Sequence, residues 1–306
     1  MQIKKITVVG AGKVGTSVVQ ILAYKNLGDI TLVNRTAGKA QGIALDLMES
    51  SPVEGFGANI TGTDDYSLTK GSDVVVITAG LPRKEGMGRD DLLLQNKAIV
   101  YDIAKNLAKY SPNAVIIVVT NPLDAMAYVA WKASGFKENK VVGMAGILDS
   151  SRLRYFIAKE LNVPPKSVSG MVLGSHGDFM IPVISSIKVN GKPVIKLLSQ
   201  EKLNQIIQRT IDAGAEIIKL EGDSAFYAPA SSVAQMAEAI LKDKKTFLPC
   251  SAFLNGEYGI KGIFIGVPAM LGKNGIEKIM KLDLTGQELS SLQKSADAIR
   301  DMVRKL

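Results

Sequence analysis

The feature that most limits how this chain can fold is an alternation that runs through roughly its first half. Short apolar runs at 3–9, 30–33, 73–78, 114–120 and 141–144 are rich in Val and Ile. They are too short for helices, and their near-continuous apolar character suits strands covered on both faces. Helix-patterned stretches at 14–25, 39–49, 92–110 and 124–134 separate them. Strand then helix, repeated, predicts a doubly wound parallel α/β sheet. The remainder is mixed, with helices expected at 149–161, 199–220, 231–242 and 286–305 and a hairpin signal at Asn190-Gly191. No repeat or low-complexity linker intervenes. The expected division is therefore a first domain over 1–145 and an abutting mixed α+β domain over 146–306.

Length and composition agree with two domains, since 306 residues at 46% hydrophobic content can bury a large core. The single cysteine, Cys250, excludes an internal disulfide and fits a reducing compartment. The first residues run straight into an apolar strand with no signal-peptide layout. No apolar run approaches the roughly 18 residues of a membrane span. A soluble, cytoplasmic protein is expected, with no membrane partner. The formal charge of +8 admits a nucleic-acid binder, because phosphate neutralisation needs Lys and Arg. The basic residues are spread along the chain without interleaved aromatics, so a lysine-rich solvated surface is the better reading, with no nucleic-acid partner. Such a field also attracts anionic substrates and cofactors.

Gly10-Ala11-Gly12-Lys13-Val14-Gly15 follows the first strand and opens a helix. Gly10, Gly12 and Gly15 there permit a tight turn, close approach of a pyrophosphate and helix–strand packing. Alone the motif is weak; at the first strand–helix junction of this alternation it predicts a dinucleotide (Rossmann) site. An acidic residue about 20 positions on normally holds the ribose hydroxyls. This chain has Asn34 there, followed by Arg35 and Thr36. Loss of the carboxylate removes its repulsion of a 2′-phosphate, and Arg35 can pair with one. The balance tips narrowly to NADP(H) over NAD(H). Dual use stays open, as does an Asn34 that simply bonds the ribose.

The chain has one histidine, His176, between two glycines in Gly174-Ser175-His176-Gly177-Asp178. A loop of that kind presents a side chain to a ligand. Asp149 and Arg152 lie three apart at the start of a predicted helix, on one face. Asp149 is a candidate partner for one ring nitrogen of His176, fixing its tautomer and favouring the imidazolium. Arg152 can clamp a substrate carboxylate. The segment 81–89, after the strand ending at Gly80, carries Arg83 and Arg89 with Gly86 and Gly88 between them, at the strand's C-terminal edge, where α/β ligands bind. It is expected to act as a lid that delivers those arginines. A basic surface loop is the bland alternative.

Six stretches taken together resemble the lactate/malate dehydrogenase family, most closely its lactate-dehydrogenase-like malate dehydrogenases of prokaryotes. They are GAGKVG (10–15), GKAQGIALDL (38–47), ITAGLPRKEGMGRDDLL (77–93), VVTNPLD (118–124), GILDSSRLR (146–154) and GSHGDFMIP (174–182). The resemblance implies that His176 is proton donor and acceptor, and that Asp149 orients it. It further implies that Arg152 binds the substrate C1 carboxylate, Arg89 polarises the carbonyl, and Asn121 contacts cofactor and substrate. It also implies a homodimer or homotetramer; one His and one Cys separately argue against a metal site. Substrate choice in the family turns on the first polar position of the loop, arginine for malate and glutamine for lactate, and this chain has Arg83. Oxaloacetate brings a second carboxylate whose burial needs a partner, and pyruvate would leave that guanidinium facing a methyl group. Malate/oxaloacetate is the expected substrate pair. The rivals are a lactate or broad 2-hydroxy-acid dehydrogenase, an NAD-using glycoside hydrolase, and a non-catalytic dinucleotide module.

Overall fold

Val74, Val76, Val115 and Ile117 point to one side of the sheet, and Val75, Ile77, Ile116 and Val118 to the other. All are buried, because helices cover both faces of a parallel sheet. The computed structural model describes residues 3–82 and 89–306, Arg89 in its backbone only. Strands β1 (Lys5–Val9), β2 (Asp29–Val33), β3 (Ile60–Thr63), β4 (Val74–Ile77), β5 (Val115–Val118) and β6 (Val141–Gly143) pair in parallel in the order 3-2-1-4-5-6. Helices α1 (Lys13–Tyr24), α2 (Ala37–Glu54), α3 (Arg89–Tyr110) and α4 (Leu123–Ser134) make four of the five connections, and a 3-10 turn at Tyr66–Thr69 lies on the fifth, between β3 and β4. The order reverses between β1 and β4, and ligands of doubly wound sheets sit at that switch, beyond the strands' carboxyl ends.

Two differences from the sequence expectation have physical causes. Strand β3 was not anticipated, because its Ile60-Thr61-Gly62-Thr63 buries only its ends. Gly62 has a packing reason: an added Cβ would lie 2.1 Å from the Ala40 carbonyl oxygen. Helix α2 runs beyond position 49, through Pro52, and stops at Gly55, whose φ of 75° is left-handed.

The later elements are α5 (Gly146–Glu160), β7 (Val168–Ser169), β8 (Val172–Gly174), β9 (Met180–Pro182), β10 (Lys188–Val189) and β11 (Lys192–Pro193). They continue with α6 (Gln200–Glu221), α7 (Tyr227–Leu241), β12 (Thr246–Asn255), β13 (Lys261–Gly272), β14 (Gly275–Ile279) and α8 (Gly286–Arg304). Asn190 and Gly191 join β10 to β11 as a two-residue turn with φ of 47° and 79°, the positive values a tight hairpin requires. Strand β12 pairs antiparallel with β6 at Ser251 and Gly143, and β13, β8 and β9 follow it. One mixed sheet thus continues past the parallel strands. Gly143 permits the junction, since a Cβ there would lie 2.7 Å from that of Ser251. Among the described residues no helix is long and apolar enough to cross a membrane.

Candidate active site

The turn after β1 is shaped by backbone contacts that only glycine allows. Gly10 has a φ of 114°, and a Cβ on it would meet Thr78 Oγ1 at 2.6 Å. A Cβ on Gly15 would lie 1.8 Å from the Gly10 carbonyl oxygen, so α1 can approach β1 only without a side chain there. Gly12 differs: nothing lies within 4 Å of its Cβ position. It is the N-cap of α1 and supplies no side-chain cap. An open face over a helix N-terminus is the cradle a pyrophosphate requires. Thr78, not singled out from the sequence, donates to the Val9 carbonyl at 3.0 Å and fastens this turn to the end of β4.

Asn34 sits at the end of β2 and is turned to the protein itself. Its Oδ1 accepts from the Ala11 N–H at 3.3 Å, and its Nδ2 donates to the Thr36 carbonyl at 3.2 Å. Arg35 and Thr36 are exposed beside it. On the far side, Lys13 pairs with Asp223, from the turn between α6 and α7, at 2.9 Å.

Asp149 lies in the first turn of α5 and His176 in the loop after β8. The Asp149 side chain is 1% exposed, and its Oδ2 lies 2.9 Å from His176 Nδ1. A carboxylate accepts only, so Nδ1 carries the hydrogen and Nε2 is the atom left for a ligand. Burial is the largest influence on His176 and opposes its charged form. The Asp149 charge and hydrogen bond outweigh it, with help from Asp124 and against Arg152, and the pKa is raised above 6.5. Arg152 Nη1 stands 3.6 Å from the other Asp149 oxygen. Arg152 Nε is buried without a hydrogen-bond partner among the described residues, so the guanidinium retains donor capacity.

Two further anchors were not recognised in the sequence. Asn96 is fully buried: it accepts the Leu81 N–H at 2.7 Å and donates to the carbonyls of Leu81 at 3.1 Å and Asn121 at 2.7 Å. Asp124 is 2% exposed and accepts the His176 backbone N–H at 3.2 Å and the Ser251 hydroxyl at 2.6 Å. A buried Asn or Asp reads in sequence like any loop or helix-start residue; only its tertiary partners give it away.

A cavity of about 530 Å³ joins these parts, with Gly12, Gly15, Asn121, Arg152 and His176 on its walls. The cradle and the histidine therefore open onto one cleft at the switch point of the sheet. Arg83 lies outside the described residues, as does most of the expected lid, 83–88. Arg89 begins α3, and its side chain is also outside them.

Comparison with known proteins agrees with this geometry. Residues 4–143 match the family described as lactate/malate dehydrogenase, NAD binding domain, and 147–306 its alpha/beta C-terminal domain. A malate dehydrogenase of Geobacillus sp. (strain WCH70) is 50% identical over 309 residues, covering 100% of this chain and 99% of that protein. The solved malate dehydrogenase of Cryptosporidium parvum superposes with a TM-score of 0.97 at 43% identity, covering 100% of this chain and 99% of that one. The lactate dehydrogenase of the same organism, solved with lactic acid and β-nicotinamide adenine dinucleotide, superposes with a TM-score of 0.96 at 43% identity, covering 99% and 98%. The chain belongs to the lactate/malate dehydrogenase family.

Proposed function

We propose that this chain is a malate dehydrogenase, interconverting malate and oxaloacetate with a nicotinamide cofactor. The observation that carries the reading is the His176–Asp149–Arg152 cluster on the same cavity as the open glycine cradle. Backbone overlap does not separate malate from lactate, since both Cryptosporidium enzymes superpose about equally well. Arg83 and the curated relatives called malate dehydrogenases support malate.

The cofactor fits the cradle, with its pyrophosphate over Gly10, Gly12 and Gly15 at the N-terminus of α1. The nicotinamide, when bound, gives or takes the hydride. Arg152 holds the C1 carboxylate, and Arg83 pairs the second carboxylate of oxaloacetate. Protonated His176 gives the proton on Nε2 to the carbonyl oxygen, and neutral His176 takes it back in malate oxidation. Asp149 fixes the ring and compensates its charge. Arg89 stabilises negative charge on the oxygen, a role worth a few kcal/mol in comparable sites. Asn121 contacts cofactor and substrate. Residues 1–145 carry the cofactor, and residues 146–306 carry the proton-transfer group and one carboxylate clamp.

NADP(H) is narrowly preferred over NAD(H). No carboxylate stands at Asn34 to repel a 2′-phosphate, and exposed Arg35 is next to it. Thr36 adds a hydroxyl at the same edge. Initial rates of oxaloacetate reduction with NADPH and NADH in parallel test this. The working location is cytoplasmic. Self-association into a dimer or tetramer is supported by α2, where Leu45 and Val53 are 62% and 87% exposed. The stripe of α8 (Leu292, Ala296, Ile299) is buried within its own chain.

His176→Asn tests the assignment. Turnover of oxaloacetate should fall by orders of magnitude while fluorescence titration shows the reduced cofactor still binding. Near-full turnover in that variant refutes the role of His176.

A further inference from the structure

Asp124 is a buried carboxylate that the reaction scheme above leaves unused. It lies in the first turn of α4, where a carboxylate also faces the positive end of the helix. Both its oxygens are engaged, by Ser251 Oγ from β12 at 2.6 Å and by the His176 backbone N–H at 3.2 Å. Ser251 is itself fully buried and sits opposite Gly143 in the sheet, so the hydroxyl has little freedom to leave. The His176 loop is held at its other side by Ser295 of α8, whose Oγ accepts the Ser175 N–H at 2.8 Å. The loop is thus suspended between a neutral hydroxyl and a carboxylate. A hydroxyl would satisfy a backbone N–H equally well, so the use of an acid at the second point calls for a reason.

We propose that Asp124, locked by Ser251, is a positioning residue for His176: it holds the loop through the backbone N–H and acts as the second buried carboxylate that sets the proton affinity of the imidazole. The inference rests on the proton role given to His176 above.

Among the described residues, this carboxylate meets the Ser251 hydroxyl from β12 and His176 from the β8–β9 loop, with Asp149 of α5 near enough to act on its charge and Arg152 paired to Asp149 behind it. Arg152 opposes the imidazolium, and Asp149 directly pairs it. Asp124 adds negative charge on the backbone side of the ring, where solvent cannot screen it. Burial raises the pKa of Asp124 to about 6, against the Ser251 and His176 hydrogen bonds, with Asp149 adding to the rise. Above that pH Asp124 is a charge that favours imidazolium; below it the charge is lost. The support given to His176 is therefore itself pH-dependent.

The lone histidine makes the test direct. In protein carrying isotope-labelled histidine, one ring signal reports the His176 titration without any need for activity. Asp124→Asn keeps an acceptor for the His176 N–H, and the Ser251 hydroxyl can rotate to accept from the amide. The expected result is a His176 pKa lowered by roughly 0.5–1 unit, less than the shift from a directly paired charge. The alkaline limb of oxaloacetate reduction and the acid limb of malate oxidation should move down in parallel. Variant and wild type should converge below about 6, where Asp124 loses its charge. Ser251→Ala removes the bond that keeps Asp124 ionised, so its profile should match the variant's up to a higher pH and then rejoin wild type. An unmoved His176 titration in folded Asp124→Asn, with activity lowered evenly at all pH, overturns the proposal. Failure of wild type to reduce oxaloacetate overturns the reaction assignment instead, and the ring titration still decides the role of Asp124.

Discussion

Replacing Asp149 with Asn isolates the charge behind His176. The side chain is 1% exposed, and its neighbours are His176 Nδ1 at 2.9 Å and Arg152 Nη1 at 3.6 Å. Asparagine fills the same space and can still present an oxygen to Nδ1, so the variant removes charge more than shape. The Asp149 carboxylate compensates the imidazolium that forms as His176 takes the proton in malate oxidation, and a directly paired charge is worth roughly 1–3 pKa units at 1.36 kcal/mol each, about 3 kcal/mol at the middle of that range. At 1.36 kcal/mol per decade that is on the order of a hundredfold in kcat/KM at the pH optimum. The pH profile reads the same interaction in a second way. In Asp149→Asn, burial and Arg152 act on His176 against Asp124, and the raised pKa falls. A directly paired charge shifts a group by roughly 1–3 units, so the alkaline limb of oxaloacetate reduction should move down by about that much. Steady-state assays across pH measure both, with a thermal melt to establish that the variant is folded. A folded variant that loses less than about tenfold and keeps its limb in place refutes the reasoning.

The glycine turn and the acid stability give two further outcomes. Gly15→Ala puts a Cβ 1.8 Å from the Gly10 carbonyl oxygen and should lower the melting temperature, whereas Gly12→Ala meets nothing within 4 Å and should melt like wild type. The Gly12 methyl instead stands in the cofactor cradle, so the cofactor KM should rise; equal melting losses in the two variants would contradict the packing account. Lys244 first, with Lys242 and Lys25, holds the Glu238 pKa at about 2, below its ordinary 4.5. A depressed carboxylate stabilises the fold above its unfolded value, and that contribution is lost as pH falls through 4.5 toward about 2. Glu238→Gln should therefore melt lower than wild type near neutrality and equally at the acid end of that window.

The sequence pattern carried the parallel strands because burial on both faces writes itself as unbroken Val and Ile. It lost β3, an edge strand with Thr61 exposed and Gly62 chosen by contact with α2. The helix stop at 49 failed because Pro52 falls in the last turn of α2, close to its Gly55 terminus. In the site, the pairing of His176 with Asp149 was legible because glycines flank the one and helical spacing ties the other to Arg152. Asn34 was legible only as a missing acid; that its amide is occupied by Ala11 and Thr36 is a tertiary fact. Asn96, Asp124 and Ser251 act through partners 15 to 127 positions away, a distance no local pattern records.

The most direct measurement compares kcat/KM for oxaloacetate and for pyruvate on the wild-type chain, with the better of NADH and NADPH. The account predicts that oxaloacetate wins by at least about a hundredfold, because pyruvate leaves the Arg83 guanidinium without a partner in a closed site. Equal rates, or a preference for pyruvate, would contradict it.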